Sequence, residues 1–329
     1  MKSYKIIVCL CLLIHSVSSN AQKQQPVAII FDSDMGPDYD DVGAIALLHA
    51  FADSGYAKIL ATVASTKYEG VGAVFNVFNT YFKRPGLPIG VPKGKALKLK
   101  DWQHWTDTLI RKYPHKIKLN QDVPGATEIY RRVLASQPDK SVTVVTTGFL
   151  TNLYDLVNSQ PDRCSKLNGK ELIQKKVKQL VCMAGKFPSG SEFNVARDAR
   201  ASQFVFENWP TPVLLSGFEI GMKIKTGLPL IHNGAIENSP VKDVFRISIP
   251  LSAEDSAGRK SWDETAVLVA VKGYQPWYRI EKGKMIVASD GSNTWVAQPE
   301  VHSHLIEAQP PEIVERLINR LMMHQPLKK

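Results

Sequence analysis

The stretch Val27–Ala50, VAIIFDSDMGPDYDDVGAIALLHA, constrains the fold of this chain more than any other. Five apolar residues, Val27–Phe31, run directly into Asp32, Asp34, Asp38, Asp40 and Asp41, and Gly36 and Pro37 interrupt the acidic run. A short, β-rich apolar run reads as a fully buried strand. Val42, Ile45, Ala46 and His49 then recur at helical spacing. The carboxylates therefore sit where a strand ends and a helix begins. In an open α/β sheet that is the side on which ligands bind.

Carboxylates this close repel one another, and a chain tolerates them either by solvating them on a loop or by binding a cation. The abutting buried strand speaks against a merely solvated loop, and Gly36 permits a tight turn that folds the carboxylates toward one point. Hard oxygen ligands suit Ca²⁺ or Mg²⁺ rather than zinc.

The remainder alternates strand-like and helix-like segments. Strands are expected over Ile59–Ala64, Leu87–Val91, Val142–Val145, Val177–Met183 and Pro212–Leu215, and helices over Gly72–Phe82, Thr127–Ser136, Leu150–Asn158 and Ala199–Glu207. That rhythm marks a parallel sheet with crossover helices. The expected class is α/β: an open, mostly parallel sheet with flanking helices and a Rossmann-like core, in one domain over residues 22–329. A small hairpin (Met285–Ala288, a turn at Asp290-Gly291-Ser292, Thr294–Ala297) and an amphipathic helix, Pro311–Met322, are expected as an appendage to it.

Met1–Ala21 stands apart. Lys2 and Lys5 precede the apolar Ile6–Ile14, and Ser19-Asn20-Ala21 offers small residues for cleavage, which reads as a secretory signal peptide. It is short for a membrane span, no other stretch is long and apolar enough for one, and an exported, periplasmic or secreted protein is expected. Its removal takes the formal charge from +10 to +8, by loss of Lys2 and Lys5. The basic excess is spread over KALKLKD, RKYPHKIK and QKKVKQ, none of which is interleaved with aromatics in a recognised nucleic-acid module, so these read as solvated faces and no nucleic-acid polymer is expected as a partner. Cys164 and Cys182 remain; an oxidising compartment would allow them to pair, and the latter, in LVCMAG, reads rather as a buried thiol.

Three further motifs carry polar chemistry. The apolar strand of VTVVTTGFLTN ends in Thr146-Thr147-Gly148, where backbone carbonyls face the crevice; a plain turn is the simpler alternative. In MAGKFPSGSEFNVARDAR, Glu192 and Asn194 share a face if the chain is extended, and a carboxylate beside an amide suits a polyhydroxylated ligand. Trp262-Asp263-Glu264 opens the apolar run Val267–Val271, where an aspartate also serves as an ordinary helix cap.

Asp34-x-Gly36 followed by the Asp40-Asp41 pair, then Thr147-Gly148, Glu192-Phe193-Asn194 and Trp262-Asp263, resembles the motif series of the inosine-uridine-preferring nucleoside hydrolases, in order, over roughly Pro26–Met322. The resemblance implies hydrolysis of the N-glycosidic bond of a small-molecule nucleoside, with Ca²⁺ held by Asp34, Asp41, the Thr147 carbonyl and Asp263. Asp34 would activate the water, and Asp40, Glu192 and Asn194 would hold the ribose. Pro37-Asp38-Tyr39 stands where the family has one residue, which makes Asp38 an alternative to Asp40. Several branches have a histidine before the last aspartate; Trp262 stands there instead, as in a purine-preferring branch that stacks tryptophan on the base. A stacking partner is then needed, and Trp102, Trp105 and Tyr68 are the candidates, with core packing as the competing role for each. The family's asparagine after the second strand is absent; Ser65, Thr66 and Lys67 occupy that region. Homo-oligomerisation is left open.

Two other functions compete. A haloacid-dehalogenase-like phosphatase would use Asp32 as nucleophile, Asp34 as acid and Thr146 or Thr147 on phosphate. A non-catalytic exported protein would bind nucleosides or sugars without turnover.

Overall fold

Twelve strands organise the chain in a computed structural model that describes residues 25–298 and 302–326. The expected signal peptide, Met1–Ala21, lies outside the described residues. In chain order the strands are β1 (Val27–Ser33), β2 (Ala57–Ala64), β3 (Ile89–Gly90), β4 (Val142–Thr146), β5 (Val177–Met183), β6 (Ser189–Ser191), β7 (Val213–Ser216), β8 (Lys225–Thr226), β9 (Arg259–Lys260), β10 (Tyr278–Val287), β11 (Ser292–Val296) and β12 (His302–Glu307). Ten form one sheet in the order β3-β2-β1-β4-β5-β7-β12-β10-β11-β6, and β8 pairs with β9 apart from it.

The sheet is parallel from β3 through β12. The chain leaves β1 outward through β2 and β3, then returns to the other side of β1 with β4. The order therefore reverses between β1 and β4, and the carboxyl ends of those two strands flank the crevice where open α/β sheets bind ligands. Both faces are covered, as a parallel sheet requires. Ile29 and Phe31 pack into one hydrophobic core while Ile30 packs into the other, the alternation of a pleated strand.

The C-terminal hairpin is less of an appendage than its sequence suggests. β12 runs parallel beside β7, β10 pairs antiparallel with β12, and β11 with β10, so the hairpin continues the main sheet. The first half of β10 is largely charged, and β12 carries two histidines, a serine and a glutamate in six residues, which hides both from an apolar-run reading. The expected five-residue strand at Leu87–Val91 shrinks to the two residues of β3.

Two helices aim the acidic residues. Asp40–Asp53 is buried from Asp40 to Phe51, and Trp262–Lys272 from Asp263 to Val271. Helices apolar on all sides belong in the interior. They pack against each other, and Gly43 lets them: a Cβ there would lie 1.9 Å from Glu264 Oε1. Both N-termini then meet at the sheet's carboxyl edge, and Asp40 Oδ2 accepts the backbone N–H of Trp262 at 3.1 Å and of Asp263 at 3.3 Å.

Leu305 on β12 is 1 % exposed and joins the core beneath the added strands. Leu305→Ala is expected to cost about 2–5 kcal/mol, measured by urea or guanidinium unfolding.

Candidate functional site

β1 delivers Asp34 and β4 delivers Thr147 to the two sides of the switch point. Gly148 is required there by close approach: a Cβ on it would lie 2.4 Å from both the Asp34 nitrogen and Ser65 Oγ. An open cavity of about 200 Å³ occupies the crevice, lined by Asp34, Asp38, Asp40, Thr147, Glu192, Asn194, Trp262 and Asp263. Asp41 lies fully buried against this group. Its Oδ1 accepts from Ser33 Oγ at 2.5 Å and from Thr147 Oγ1 at 3.1 Å, while its Oδ2 is buried with no hydrogen-bond partner.

The crowding shows in the acidities. Burial, and then repulsion from Asp41, Asp38 and Asp40, pushes the Asp34 pKa well above the usual carboxylate range. Asp263 moves the same way, through burial and then Asp40, Asp41 and Asp34. Burial, followed by the Asp40 charge, pushes Asp41 up to about 8. Among the described residues, no group of three or more His, Cys, Asp or Glu side chains forms a ready-made metal cage.

Glu192 and Asn194 line the cavity, but not as an extended pair. Glu192 caps the short helix Phe193–Arg197, and its carboxylate accepts from the backbone N–H of Asn194 (2.8 Å), Val195 (3.1 Å) and Gly185 (3.3 Å). Burial pushes its pKa up to about 7 against the pull of those N–H groups. Asn194 Nδ2 donates to the Thr147 carbonyl at 3.2 Å.

Asp40, expected on the ribose, is fully engaged within the protein. Its Oδ1 accepts from Arg259 Nη2 at 2.8 Å and Nε at 3.2 Å, and its Oδ2 from the two helix N–H groups already named. A carboxylate offers about four acceptor positions, and all are taken. Asp38 contrasts with it: its side chain is 42 % exposed, lines the cavity and pairs with Arg259.

The aromatic expectations divide. Trp262 lines the cavity, with its Nε1 donating to the Phe218 carbonyl at 2.7 Å and its ring stacked on Phe218 at 5.4 Å. Gly221 makes room for it, since a Cβ there would lie 2.4 Å from Trp262 Cα. The three proposed stacking partners do not line the cavity. Trp105 is fully buried in the core, at the start of the helix Trp105–Lys112; Trp102 is 59 % exposed; and Tyr68 is buried with its hydroxyl donating to the Met35 carbonyl at 2.9 Å. Phe218 and Phe193 supply the aromatic wall instead. Arg259, Glu254 and Met183 also line the cavity and carry no mark in the sequence. Nothing local ties a lone arginine on a two-residue strand to aspartates about 220 positions earlier. At the family's absent asparagine, Thr66 Oγ1 donates to the Leu97 and Leu99 carbonyls and Lys67 Nζ to the Gly94 carbonyl, so both are spent on the neighbouring loop.

Asp32 is not placed to be a phosphatase nucleophile. It is fully buried away from the cavity lining, and it accepts from Tyr130 at 2.7 Å and from Asn152 at 3.0 Å. Burial pushes its pKa up to about 7. Cys164 and Cys182 are both free thiols, and Cys182 is buried.

Fold and site together define an α/β protein with a carboxylate-lined cavity at the topological switch point of a parallel sheet. The family model of the inosine-uridine preferring nucleoside hydrolases matches residues 29–308, and the chain belongs to that family. It is 28% identical over 195 residues to the inosine-uridine preferring nucleoside hydrolase of Leishmania major, covering 56% of this chain and 58% of that protein. It is also 28% identical over 222 residues to a pyrimidine-specific ribonucleoside hydrolase of Salmonella agona, covering 64% of each. The chain thus spans about three fifths of the length of these relatives. Among solved structures, the inosine-uridine preferring nucleoside hydrolase from Bacillus anthracis superposes with a TM-score of 0.68 over 90% of this chain and 99% of that one. At 15% identity that likeness is one of fold.

Asp32 generates a pH prediction. Its pKa of about 7 in the fold against 3.8 otherwise means the folded chain binds the extra proton. Asp32 therefore lowers stability progressively as pH rises from about 4 to about 7, by roughly 4 kcal/mol at most. Chemical denaturation across that range is expected to show the decline, and Asp32→Asn to flatten that part of it.

Proposed function

We propose that the protein hydrolyses the N-glycosidic bond of ribonucleosides, giving ribose and free base, with Ca²⁺ as cofactor and a preference for purines. The observation that carries this reading is the meeting of Asp34, Thr147, Asp263, Glu192 and Asn194 around one cavity, with the unpartnered Oδ2 of Asp41 buried against them. A buried carboxylate oxygen without a donor, among acids pushed up by burial and then by mutual repulsion, fits a hard divalent cation. Asp34, Asp41, the Thr147 carbonyl and Asp263 would hold it. When bound, Ca²⁺ supplies positive charge that acidifies a water and offsets the carboxylates.

The chain's own groups do the rest. Asp34, at the cavity wall, accepts the proton of the attacking water. The water oxygen bonds to the anomeric carbon while the C–N bond breaks, its electron pair leaving with the base, which takes a proton from solvent. Positive charge grows on the ribose in that step, and Glu192 and the neighbouring carboxylates favour it electrostatically. Glu192 is held in place by its three backbone N–H donors, so it needs no reorganisation as the charge appears. Asn194 presents an amide to the sugar hydroxyls. Direct attack by water implies inversion at the anomeric carbon.

Incubating ribonucleosides with the protein, with and without chelator, and following base release by chromatography tests the reading. Release is expected to be lost on chelation and restored by Ca²⁺. Asp34→Asn is expected to lower kcat by at least about 10²-fold with an unchanged far-ultraviolet spectrum; near-normal turnover would remove Asp34 from the chemistry.

Purine preference rests on the wall formed by Trp262 and Phe218. Indole carries no titratable proton, so it favours the leaving base by stacking, and the larger purine face gains more from that contact. Trp262→Ala is expected to lower kcat/KM for inosine by about 5- to 100-fold, the range of a base–aromatic stack, and to affect uridine less. Equal cleavage of uridine and inosine by the unaltered protein would rule the preference out.

A further inference from the structure

Arg259 is the one strongly basic side chain lining the cavity among the described residues, and only 8 % of its side chain is exposed. Its guanidinium meets three carboxylates: Asp38 and Asp40 through Nη2, the latter at 2.8 Å, and Asp255 through Nη1 at 3.7 Å. It also lies over the Tyr39 ring, 4.8 Å from the centroid, and over Trp262 at 5.2 Å. Tyr39 in turn donates its hydroxyl to Asp255 Oδ2 at 2.6 Å. These contacts gather at the expanded segment Pro37-Asp38-Tyr39, where the chain departs from the family's spacing.

We propose that Arg259 is a positioning residue that makes the expanded loop functional. It pins Asp38 at the cavity rim as the carboxylate that takes a sugar hydroxyl, while Asp40 serves as a fixed anchor between the aspartate loop and the helix that starts at Trp262. This rests on the hydrolase reading above. Three features carry it. Every acceptor position of Asp40 is occupied inside the protein, so a sugar hydroxyl arriving there displaces a buried donor. Asp38 is the half-exposed carboxylate of the cavity wall, with room for a further donor. The planar fork of arginine reaches Asp38, Asp40 and Asp255 at once, which the single point charge of a lysine does not. Arg259 is itself anchored from behind, where β9 pairs with β8 and its carbonyl accepts from Thr226 Oγ1 at 3.3 Å.

The test is a double-mutant cycle on the whole protein. Asp38→Asn and Arg259→Lys are each expected to raise KM for inosine about tenfold while kcat changes less, and the double variant to be no worse than Asp38→Asn alone, because residues in one network are not additive. With 2′-, 3′- and 5′-deoxyinosine, both single variants are expected to lose discrimination at the same hydroxyl. Asp40→Asn is expected to lower the melting temperature while leaving that discrimination in place. Additive effects of Asp38→Asn and Arg259→Lys, or loss of sugar discrimination in Asp40→Asn but not in Asp38→Asn, overturn the proposal. Thermal melts of Arg259→Lys and Arg259→Gln identify any variant that has unfolded, and the cycle is read on the one that has not. If the unaltered protein releases base from no nucleoside, the hydrolase reading fails separately. The same cycle is then read as the Kd for inosine by calorimetry, and equal affinity of all variants overturns the positioning role.

Discussion

Repulsion among carboxylates withdrawn from water is the constraint around which this molecule is arranged. Asp34, Asp40, Asp41 and Asp263 are all nearly or fully buried. Each carries a pKa displaced upward, first by burial and then, for every one of them, by another member of the group or by Asp38. A chain holds such a cluster only with compensation built in. Ser33 and Thr147 supply hydroxyl donors to Asp41, helix N–H groups and Arg259 supply donors to Asp40, and the oxygen left over on Asp41 is where a cation has most to offer.

The helices that carry these groups explain why the cluster does not spring apart. A helix N-terminus favours negative charge, and two buried helices present theirs at one point, one beginning at Asp40 and the other at Trp262. Gly43 lies against Glu264 where they meet, and both are buried on every side, so neither shifts without repacking its neighbours. Rigid elements of this kind hold a constellation more closely than loops do. The exception is the segment through Asp38, which lies ahead of the first helix and is tied back by its ion pair with Arg259.

The far wall of the cavity is built on a different principle. Phe218 and Trp262 stack, and Phe193 stands at the rim, so this side offers area in place of charge. An acidic floor with an aromatic wall suits a ligand that is hydroxylated at one end and flat at the other. The same division of labour accounts for Trp105: an indole with no cavity in front of it belongs to the core, in the same cluster as the apolar residues of the first helix.

What the sequence determined by itself is the part written in local pattern. The buried strand, the acidic turn and the helix at Val27–Ala50 were legible because burial, glycine and helical spacing all act within a few residues. The strand ends carrying Thr147 and the helix start carrying Asp263 were legible for the same reason, and motif order then implied that they belong together. Tertiary structure decided everything that depends on distance along the chain. It gave Asp40 to Arg259 and two N–H groups, left Asp38 half-exposed at the rim beside the same arginine, turned Glu192 into a helix cap, and replaced Trp102 and Trp105 by Phe218 as the partner of Trp262. It also joined β12 to β7, extending the sheet through strands whose charged faces conceal them. A side chain's role follows from which donors and charges reach it in space, and a carboxylate reads the same in sequence whether its acceptors are empty or full.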